Sequence, residues 1–301
     1  MRGCDKFCTF CVVPFTRGRE RSRSLNSIVE EVKLLSARGF KEVTLLGQNV
    51  NSYRDEESAS GGDFADLLAA CEEVDSSVRI RFTTSHQQDL SDKLLYTIAE
   101  HQNICNYIHL PVQSGSNKIL ELMNRSYSIE HYLQLVDKAR IIIPGVSFST
   151  DIIAGFPTET FEDHIMTLDV MREVRFDGAF MFKYSPREGT KAFRMNDDVP
   201  EETKSKRLQE IINLQQQISF ELNQELIGKE EVVLIEGFSK KSDKFLSGRT
   251  DTNKVVIIPA NEKIKTGDYV KAKINRATSA TLFGDFTDFV NLLEESLSLT
   301  G

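Results

Sequence analysis

Along residues 25–200, segments in which hydrophobic residues recur at helical spacing alternate with short continuous apolar runs. Helical spacing over Leu25–Arg38 places Ile28, Val32 and Leu35 on one face, and Gly39 follows as a stop signal. The next segment, 42–47, is a short apolar run of the kind typical of strands buried on both faces. Further predicted strands are 78–83, 107–110, 146–153 and 179–184, and the predicted helices between them are 64–73, 92–101, 129–142 and 161–174. This alternation predicts an α/β fold of βα units around a parallel sheet, closed or partly closed.

Polar and glycine residues follow the predicted strands. They include Gly47, Gln48 and Asn49 after the first strand, and Ser114 and Gly115 after the third. In parallel barrels the active site is built from the loops at the carboxyl ends of the strands. We therefore expect the functional site among these loops.

The pattern changes beyond residue 200. A long polar helix over Glu201–Leu226 ends at Gly228, and five short strand-like runs separated by turns follow it. Such runs predict a small all-β barrel of the OB type. We expect one domain over residues 1–228, a second over 229–288 and a tail over 289–301.

Composition and charge narrow the class of protein. No run reaches the 18 or so apolar residues of a membrane span, and the first residues lack the apolar region of a secretion signal. Five cysteines, an odd number, argue against a disulfide framework and favour a reducing cytoplasm. The net charge of −8 means that any nucleic acid must bind a local basic surface. Candidates for RNA contacts are Arg17, Arg19, Lys240, Lys241, Arg249 and Lys254, although such charges are also common on solvated surfaces.

The strongest chemical signal is a cluster of cysteines. Cys4, Cys8 and Cys11 form a C-x3-C-x2-C triplet, whereas Cys71 and Cys105 are scattered. A structural zinc site usually has four protein ligands, and no fourth ligand lies near the triplet. Three soft thiolates suit a 4Fe-4S cluster, in which one iron would keep an open position for a cofactor.

These residues resemble the radical S-adenosylmethionine enzymes and, more closely, their methylthiotransferase family. The resemblance covers nearly the whole chain and includes the terminal segment, which is similar to the family's TRAM domain, an RNA-binding β-barrel. The motif after the first strand resembles the branch that acts on isopentenyl-adenosine in tRNA. The segments that carry the likeness are Arg2–Gly18, Leu46–Tyr53, His109–Ser116, Asp151–Thr160, Gly248–Thr250, Asn253–Val256 and Thr278–Gly284.

The resemblance implies a fold, cofactors and partners. It implies a partial (β/α)6 barrel of the radical S-adenosylmethionine type, followed by a TRAM barrel. It also implies a 4Fe-4S cluster on Cys4, Cys8 and Cys11. S-adenosylmethionine would bind the open iron, and its cleavage would give a radical that activates C2 of an adenine for methylthiolation. The implied partners are a tRNA anticodon stem-loop and an electron donor protein, with no membrane. Residues expected near the cofactor are Gly47, Gln48, Asn49, Ser114, Gly115, Asp151 and Lys183; none is assigned as catalytic, and several are equally well explained as turns.

Two departures from the family pattern stand out. Family members carry an upstream domain with three further cysteines for an auxiliary 4Fe-4S cluster, which Cys71 and Cys105 cannot replace, so we expect the chain to be a fragment. Gln87 stands where the family usually has proline. Two alternative functions remain at this point: the same chemistry on a ribosomal protein or on threonylcarbamoyl-adenosine, and an RNA-binding protein with a structural metal.

Overall fold

The computed structural model describes residues 1–56 and 61–291. Its helices are α1 (Val13–Arg17), α2 (Leu25–Ala37), α3 (Phe64–Glu72), α4 (Asp92–Glu100), α5 (Asn117–Leu122), α6 (Ile129–Ile142), α7 (Phe161–Val174) and α8 (Glu201–Gln224). Its strands are β1 (Glu42–Leu46), β2 (Arg79–Thr83), β3 (Tyr107–His109), β4 (Ser147–Ala154), β5 (Gly178–Lys183), β6 (Glu230–Ser239), β7 (Ser242–Arg249), β8 (Val255–Pro259), β9 (Tyr269–Ala277) and β10 (Leu282–Phe289).

The first five strands are parallel and carry helices on one face. β1 pairs with β2, and β3, β4 and β5 pair in that order. Alternate residues of each strand, such as Ile80, Ile108 and Ile152, pack into one apolar core with the helices. The intervening residues therefore line the opposite, inner face, because successive side chains of a strand point to opposite sides.

The last five strands close into a separate small barrel. Their order is β10-β8-β7-β6-β9, and every pair is antiparallel except β8 with β10. Val233, Val270 and Leu282 are fully buried in its core. The prediction of a partial parallel α/β barrel followed by an all-β barrel is confirmed, with five parallel strands among the described residues.

The turn between β7 and β8 fixes this small barrel to the amino-terminal ends of the parallel strands. The buried Arg81 guanidinium donates to the carbonyl oxygens of Thr250 and Asp251 at 3.0 and 2.9 Å and forms an ion pair with Glu42. Arg79 donates to the carbonyl of Arg249 at 3.0 Å. The turn thus closes the end of the parallel sheet that lies opposite the predicted functional loops.

Element ends differ little from the predictions. Helices α2, α6 and α7 begin where expected, and Ser91, Ser128 and Thr160 cap α4, α6 and α7 with their side chains, as such residues do at helix starts. The short helices α1 and α5 were not predicted, because five or six residues carry too little periodicity to identify a helix. No helix among the described residues is long and apolar enough to span a membrane. Most of the predicted tail, 289–301, lies outside the described residues, which end at position 291.

Candidate metal and cofactor site

The cysteine triplet lies on a tight loop at the start of the chain. The loop is fixed by backbone hydrogen bonds from Cys4 N to Gly18 O (3.4 Å) and from Cys11 N to Cys8 O (3.0 Å). Gly3 has a φ of 77°, and a Cβ there would lie 2.2 Å from the carbonyl oxygen of Arg19. Only glycine fits this close approach, so Gly3 sets the entry of the chain into the loop.

The three thiols share one environment. Each is half-buried, and burial raises the pKa of Cys4 and Cys11, with a further increase from the neighbouring cysteine thiols. Cys71 and Cys105 are 1% exposed, and burial raises the pKa of each to about 12. No group of three or more His, Cys, Asp or Glu side chains in the part of the chain described here converges on a single metal position. A cluster makes a different demand, because each cysteine ligates a different iron and the sulfur atoms stand farther apart.

Arg125 also lies at the candidate site, and the sequence analysis did not single it out. Its guanidinium lies 3.3 Å from Cys8 Sγ and also donates to the carbonyl oxygen of Pro111 at 3.1 Å. Burial works against its charge, but Tyr127 and Cys8 raise its pKa above the ordinary value, so it stays cationic. The only signal in the sequence was an arginine just after the β3 loop, and one sequence cannot show that the chain brings it to the thiols.

Buried polar atoms without partners gather around the same loops. Asn49 Oδ1, Ser85 Oγ and Gln87 Oε1 follow β1 and β2, and Arg125 Nε lies beside Cys8; each is buried and has no hydrogen-bond partner. Leaving such atoms unpaired costs about 1–3 kcal/mol each. Both hydrogen-bond acceptors and a donor are therefore available to a polar ligand next to the thiols, and the residues fit a cluster with a bound amino-acid cofactor.

The loop after β1 is tied directly to the cysteine loop. Gln48 Oε1 accepts a hydrogen bond from Gly3 N at 2.9 Å, and Asn49 Nδ2 donates to Asp89 at 2.8 Å. Asp89 in turn pairs with Lys6, which stands between Cys4 and Cys8. The predicted cofactor residues Gly47, Gln48 and Asn49 thus lie beside the thiols, and the free Oδ1 of Asn49 suits an ammonium donor.

Ser114 and Gly115 face the protein rather than an open site. Ser114 is fully buried, and its hydroxyl accepts from Ser116 N at 3.2 Å. A Cβ on Gly115 would lie 2.4 Å from the Met166 carbonyl oxygen of α7. The requirement for glycine here comes from helix packing, and the role of these two residues toward a cofactor stays a prediction.

Of the other candidates from the sequence, one is partly exposed on the inner face of the sheet and others are paired within the protein. Asp151 keeps 26% of its side chain exposed on the inner face of the sheet, whereas Lys183 pairs with Glu201 of α8. Glu159, two residues before α7 begins, does not cap that helix; it accepts from Gly155 N at 3.0 Å and forms a buried ion pair with Arg207 at 2.8 Å. His86 is buried, and this burial, with Arg125 and Lys6 nearby, lowers its pKa to about 3, so the imidazole is neutral.

The basic candidates lie on two surfaces. Arg17 and Arg19 are exposed near the cysteine loop, and Arg19 pairs with Asp5 at 2.8 Å. Lys240, Lys241 and Arg249 line a groove of about 750 Å³ on the terminal barrel. Lys254 does not reach this surface; it forms an ion pair with Asp177 at 2.6 Å between the two barrels.

The groove combines these cations with aromatic rings. Phe238 and Phe245 line it with 66% and 42% of their surface exposed. Phe283 also lines it, and the Arg276 guanidinium lies 3.6 Å from the centre of that ring. Exposed rings with adjacent cations are typical of surfaces on which unpaired nucleotides stack.

Comparison with protein families places two domains on the chain. Residues 1–171 match the family model described as the Radical SAM superfamily, and residues 224–287 match the TRAM domain. A protein from Chloroherpeton thalassium named tRNA-2-methylthio-N(6)-dimethylallyladenosine synthase is 54% identical over 286 residues, which is 95% of this chain and 63% of that protein. A protein of the same name from Carboxydothermus hydrogenoformans is 53% identical over 91% of this chain and 62% of its own length. The chain therefore spans a little under two thirds of these relatives.

Solved structures share the fold at low identity. The coproporphyrinogen III oxidase of Escherichia coli, titled a radical SAM enzyme, aligns with a TM-score of 0.54 at 16% identity, over 91% of this chain and 65% of that one. Methylornithine synthase aligns with a TM-score of 0.50 at 19% identity, over 70% of this chain and 59% of that one.

Proposed function

Since the chain belongs to the radical SAM superfamily, we propose that it forms the radical and RNA-binding parts of a tRNA methylthiotransferase acting on N6-isopentenyladenosine. The observation that carries the proposal is the loop of Cys4, Cys8 and Cys11 beside unpartnered buried polar atoms. The relatives' names supply the substrate class, and the terminal barrel supplies a surface for RNA. The domains are taken as 1–228 and 229–288.

Cys4, Cys8 and Cys11 would hold a 4Fe-4S cluster, with S-adenosylmethionine at the open iron. When bound, these two groups supply one-electron chemistry that activates an otherwise inert C–H bond. Asn49 Oδ1 would accept a hydrogen bond from the methionyl ammonium group; in support, the atom is buried and unpartnered, and Asn49 is joined through Asp89 to the cysteine loop. Gln48 holds that loop in register through Gly3.

A positively charged side chain at this site favours the binding of anionic ligands. Arg125 is a partly buried cation in contact with Cys8, so it would stabilise negative charge on the thiolate and on whatever that thiolate binds. The neutral His86 beside it adds no competing charge.

The RNA contacts would come from both basic surfaces. Lys240, Lys241 and Arg249 would bind phosphates along the terminal groove, and Arg17 and Arg19 would do so near the cysteine loop. A target adenine in an anticodon loop is unpaired, so extruding it into a buried site costs little. Lys254 is left out of this set because its side chain is only 15% exposed and pairs with Asp177 between the two barrels.

Two further partners belong to the whole enzyme. An auxiliary 4Fe-4S cluster would carry the sulfur that is transferred, and its ligands must lie outside these 301 residues, because Cys71 and Cys105 are buried apart from the triplet. An electron donor protein would reduce the radical cluster. We expect the reaction to take place in the cytoplasm, where tRNA is modified.

The test compares the 301-residue chain with a version extended at its amino terminus by the three-cysteine domain that the family resemblance implies. After anaerobic reconstitution, we expect both to cleave S-adenosylmethionine and only the extended protein to methylthiolate RNA. Three substrates are offered to the extended protein: tRNA with isopentenyl-adenosine, tRNA with threonylcarbamoyl-adenosine, and ribosomal protein. Product on either of the last two substrates alone would overturn the substrate assignment, and a chain that binds RNA but never cleaves S-adenosylmethionine would overturn the enzyme assignment.

A further inference from the structure

The inner face of strands β3, β4 and β5 carries a line of polar and aromatic side chains outside the cysteine site. Their neighbours in sequence, such as Ile108, Ile152 and Met181, pack against the helices on the other face. The side chains on the inner face are those of Tyr107, His109, Ser149, Asp151, Phe180 and Phe182.

Hydrogen bonds fix His109 in this line. Ser149 Oγ lies 2.5 Å from the Tyr107 hydroxyl and 2.7 Å from His109 Nδ1, and His109 Nε2 lies 3.4 Å from Asp151 Oδ1. His109 itself is only 5% exposed. The network therefore ends at Asp151, whose carboxylate is the member that the interior of the barrel can reach.

Phe180 stands next to this carboxylate. It pairs in register with Asp151 across β4 and β5, and its ring meets His109 edge-on with centroids 5.7 Å apart. Even so, 58% of Phe180 is exposed. The exposed ring, the imidazole packed against it and the carboxylate one strand away together form a surface on which a flat polar ring could stack.

We propose that Phe180 and Asp151 bind an amino-substituted purine, with the ring stacked on Phe180 and the exocyclic N–H donating to Asp151. Stacking on an aromatic ring accepts any base, and a carboxylate selects those that present an N–H donor. N6-isopentenyladenosine keeps one such N–H. The inference rests on the proposed function, and it names the residues that recognise the target base. His109 is a positioning residue that orients both groups.

The adenine of S-adenosylmethionine has the same chemistry as the target base. The experiment therefore measures the binding of the nucleoside and of the cofactor separately. The reconstituted 301-residue chain is titrated by calorimetry with the nucleoside N6-isopentenyladenosine and, separately, with S-adenosylmethionine. The variants are Phe180→Ala, Phe180→Tyr and Asp151→Ala. Phe220→Ala is the matched control, because Phe220 is also exposed, at 46%, but lies on α8.

Phe180→Ala should weaken nucleoside binding by about fivefold or more, which corresponds to the loss of one base–aromatic stack. Its affinity for S-adenosylmethionine should stay unchanged, and Phe180→Tyr should restore nucleoside binding. A purine riboside without the amino group should bind the wild-type chain more weakly than adenosine does, and Asp151→Ala should remove that difference.

Three results would overturn the inference: no nucleoside binding to the wild-type chain, unchanged nucleoside affinity in Phe180→Ala, or an equal loss of nucleoside and S-adenosylmethionine. The last result would assign the platform to the adenine of the cofactor. Failure of the proposed function is detected separately, by the methylthiolation assay on the extended protein, and does not depend on these binding constants.

Discussion

At the scale of single residues, cysteines in one chain differ sharply in what they can bind. Cys4, Cys8 and Cys11 are half-exposed on one loop, whereas Cys71 and Cys105 are buried, and this burial raises the pKa of each thiol to about 12. The thiolate is the form that binds metal, so a thiol held protonated by burial is a poor ligand.

Replacing Cys4, Cys8 or Cys11 by Ala should therefore remove most of the iron and sulfide from the anaerobically reconstituted chain, because each change deletes one of three cluster ligands. Iron and sulfide analysis and the visible absorbance of the cluster measure the loss. Cys71→Ala and Cys105→Ala are the matched controls and should keep full cluster content. If either control lost its iron, the three-ligand assignment would be wrong.

Gly115 illustrates a glycine that packing requires. An added Cβ would approach the α7 backbone to 2.4 Å at Met166 O and 2.5 Å at Thr167 Cα, and backbone atoms cannot turn aside. Gly115→Ala should lower the free energy of unfolding by about 1–3 kcal/mol, the usual cost of overpacking. Urea denaturation measures it. Gly178→Ala is the control, since nothing lies within 4 Å of its missing Cβ; equal effects at both positions would contradict the packing explanation.

At the scale of elements, the amino terminus of α7 anchors the loop after β3. Thr160 and Asp163 form a reciprocal capping box, and Asp163 also accepts from Ser116 at 2.6 Å and from Lys118 at 2.8 Å. Burial would raise the pKa of Asp163, but the hydrogen bonds from Lys118, Ser116 and Thr160 outweigh it and lower the pKa from 3.8 to about 2. The ionised carboxylate therefore stabilises the folded state.

The sign of the pH dependence follows from that lowered pKa. Stabilisation by Asp163 is fully present above about pH 4 and is lost as the pH falls through about 2. At pH 7, Asp163→Asn should cost about 1.5–3 kcal/mol, the range for hydrogen bonds to a charged group. The difference from wild type should shrink between pH 4 and pH 2, as measured by urea unfolding.

Asp169→Asn on the same helix is the control for this change. Asp169 is 63% exposed in an i,i+3 pair with Arg172, and such surface pairs contribute little. A pH-independent difference between wild type and Asp163→Asn would show that the substitution acts through shape rather than through charge.

At the scale of the whole molecule, Arg81 couples the two barrels. Its side chain is 7% exposed and binds Glu42 together with two carbonyl oxygens of the β7–β8 turn. Arg81→Met keeps an unbranched apolar stem and removes every donor, so it should cost about 3–5 kcal/mol, as expected when one partner of a buried ion pair is lost. Amides of residues 249–255 should also exchange hydrogen faster.

Arg38→Met serves as the control, because Arg38 is exposed and its guanidinium lies over the Phe40 ring at 5.6 Å. Unchanged exchange in the β7–β8 turn of Arg81→Met would mean that other contacts, such as Lys254 with Asp177, suffice to join the barrels. Deleting the terminal barrel is a less precise test, since it would leave both Arg79 and Arg81 without their carbonyl partners.

The terminal groove should show its role in the salt dependence of tRNA binding. Each phosphate contact contributes about −0.7 to the slope of log affinity against log salt for single-stranded RNA, so Lys240→Ala with Lys241→Ala should flatten the slope by about 1.4. Filter binding at several salt concentrations measures it. Lys263→Ala with Lys265→Ala is the matched control, because both lysines are exposed on the same barrel but do not line the groove. An unchanged slope in the groove variant would remove these lysines from the RNA contacts.

The sequence by itself determined most of the elements and the clustering of three thiols. Periodicity identifies α2, α6, α7 and the strands, because the alternation of buried and exposed positions is local in the sequence. The close spacing of Cys4, Cys8 and Cys11 keeps the three thiols near one another whatever the fold. Only the tertiary structure determined which residues far apart in the sequence come into contact. It brought Arg125 to Cys8 across 117 residues, gave Glu159 to Arg207 rather than to the start of α7, and buried Lys254 against Asp177. It also left Phe180 exposed beside Asp151. Pairings of this kind depend on which elements pack together, and no local pattern of residues records that.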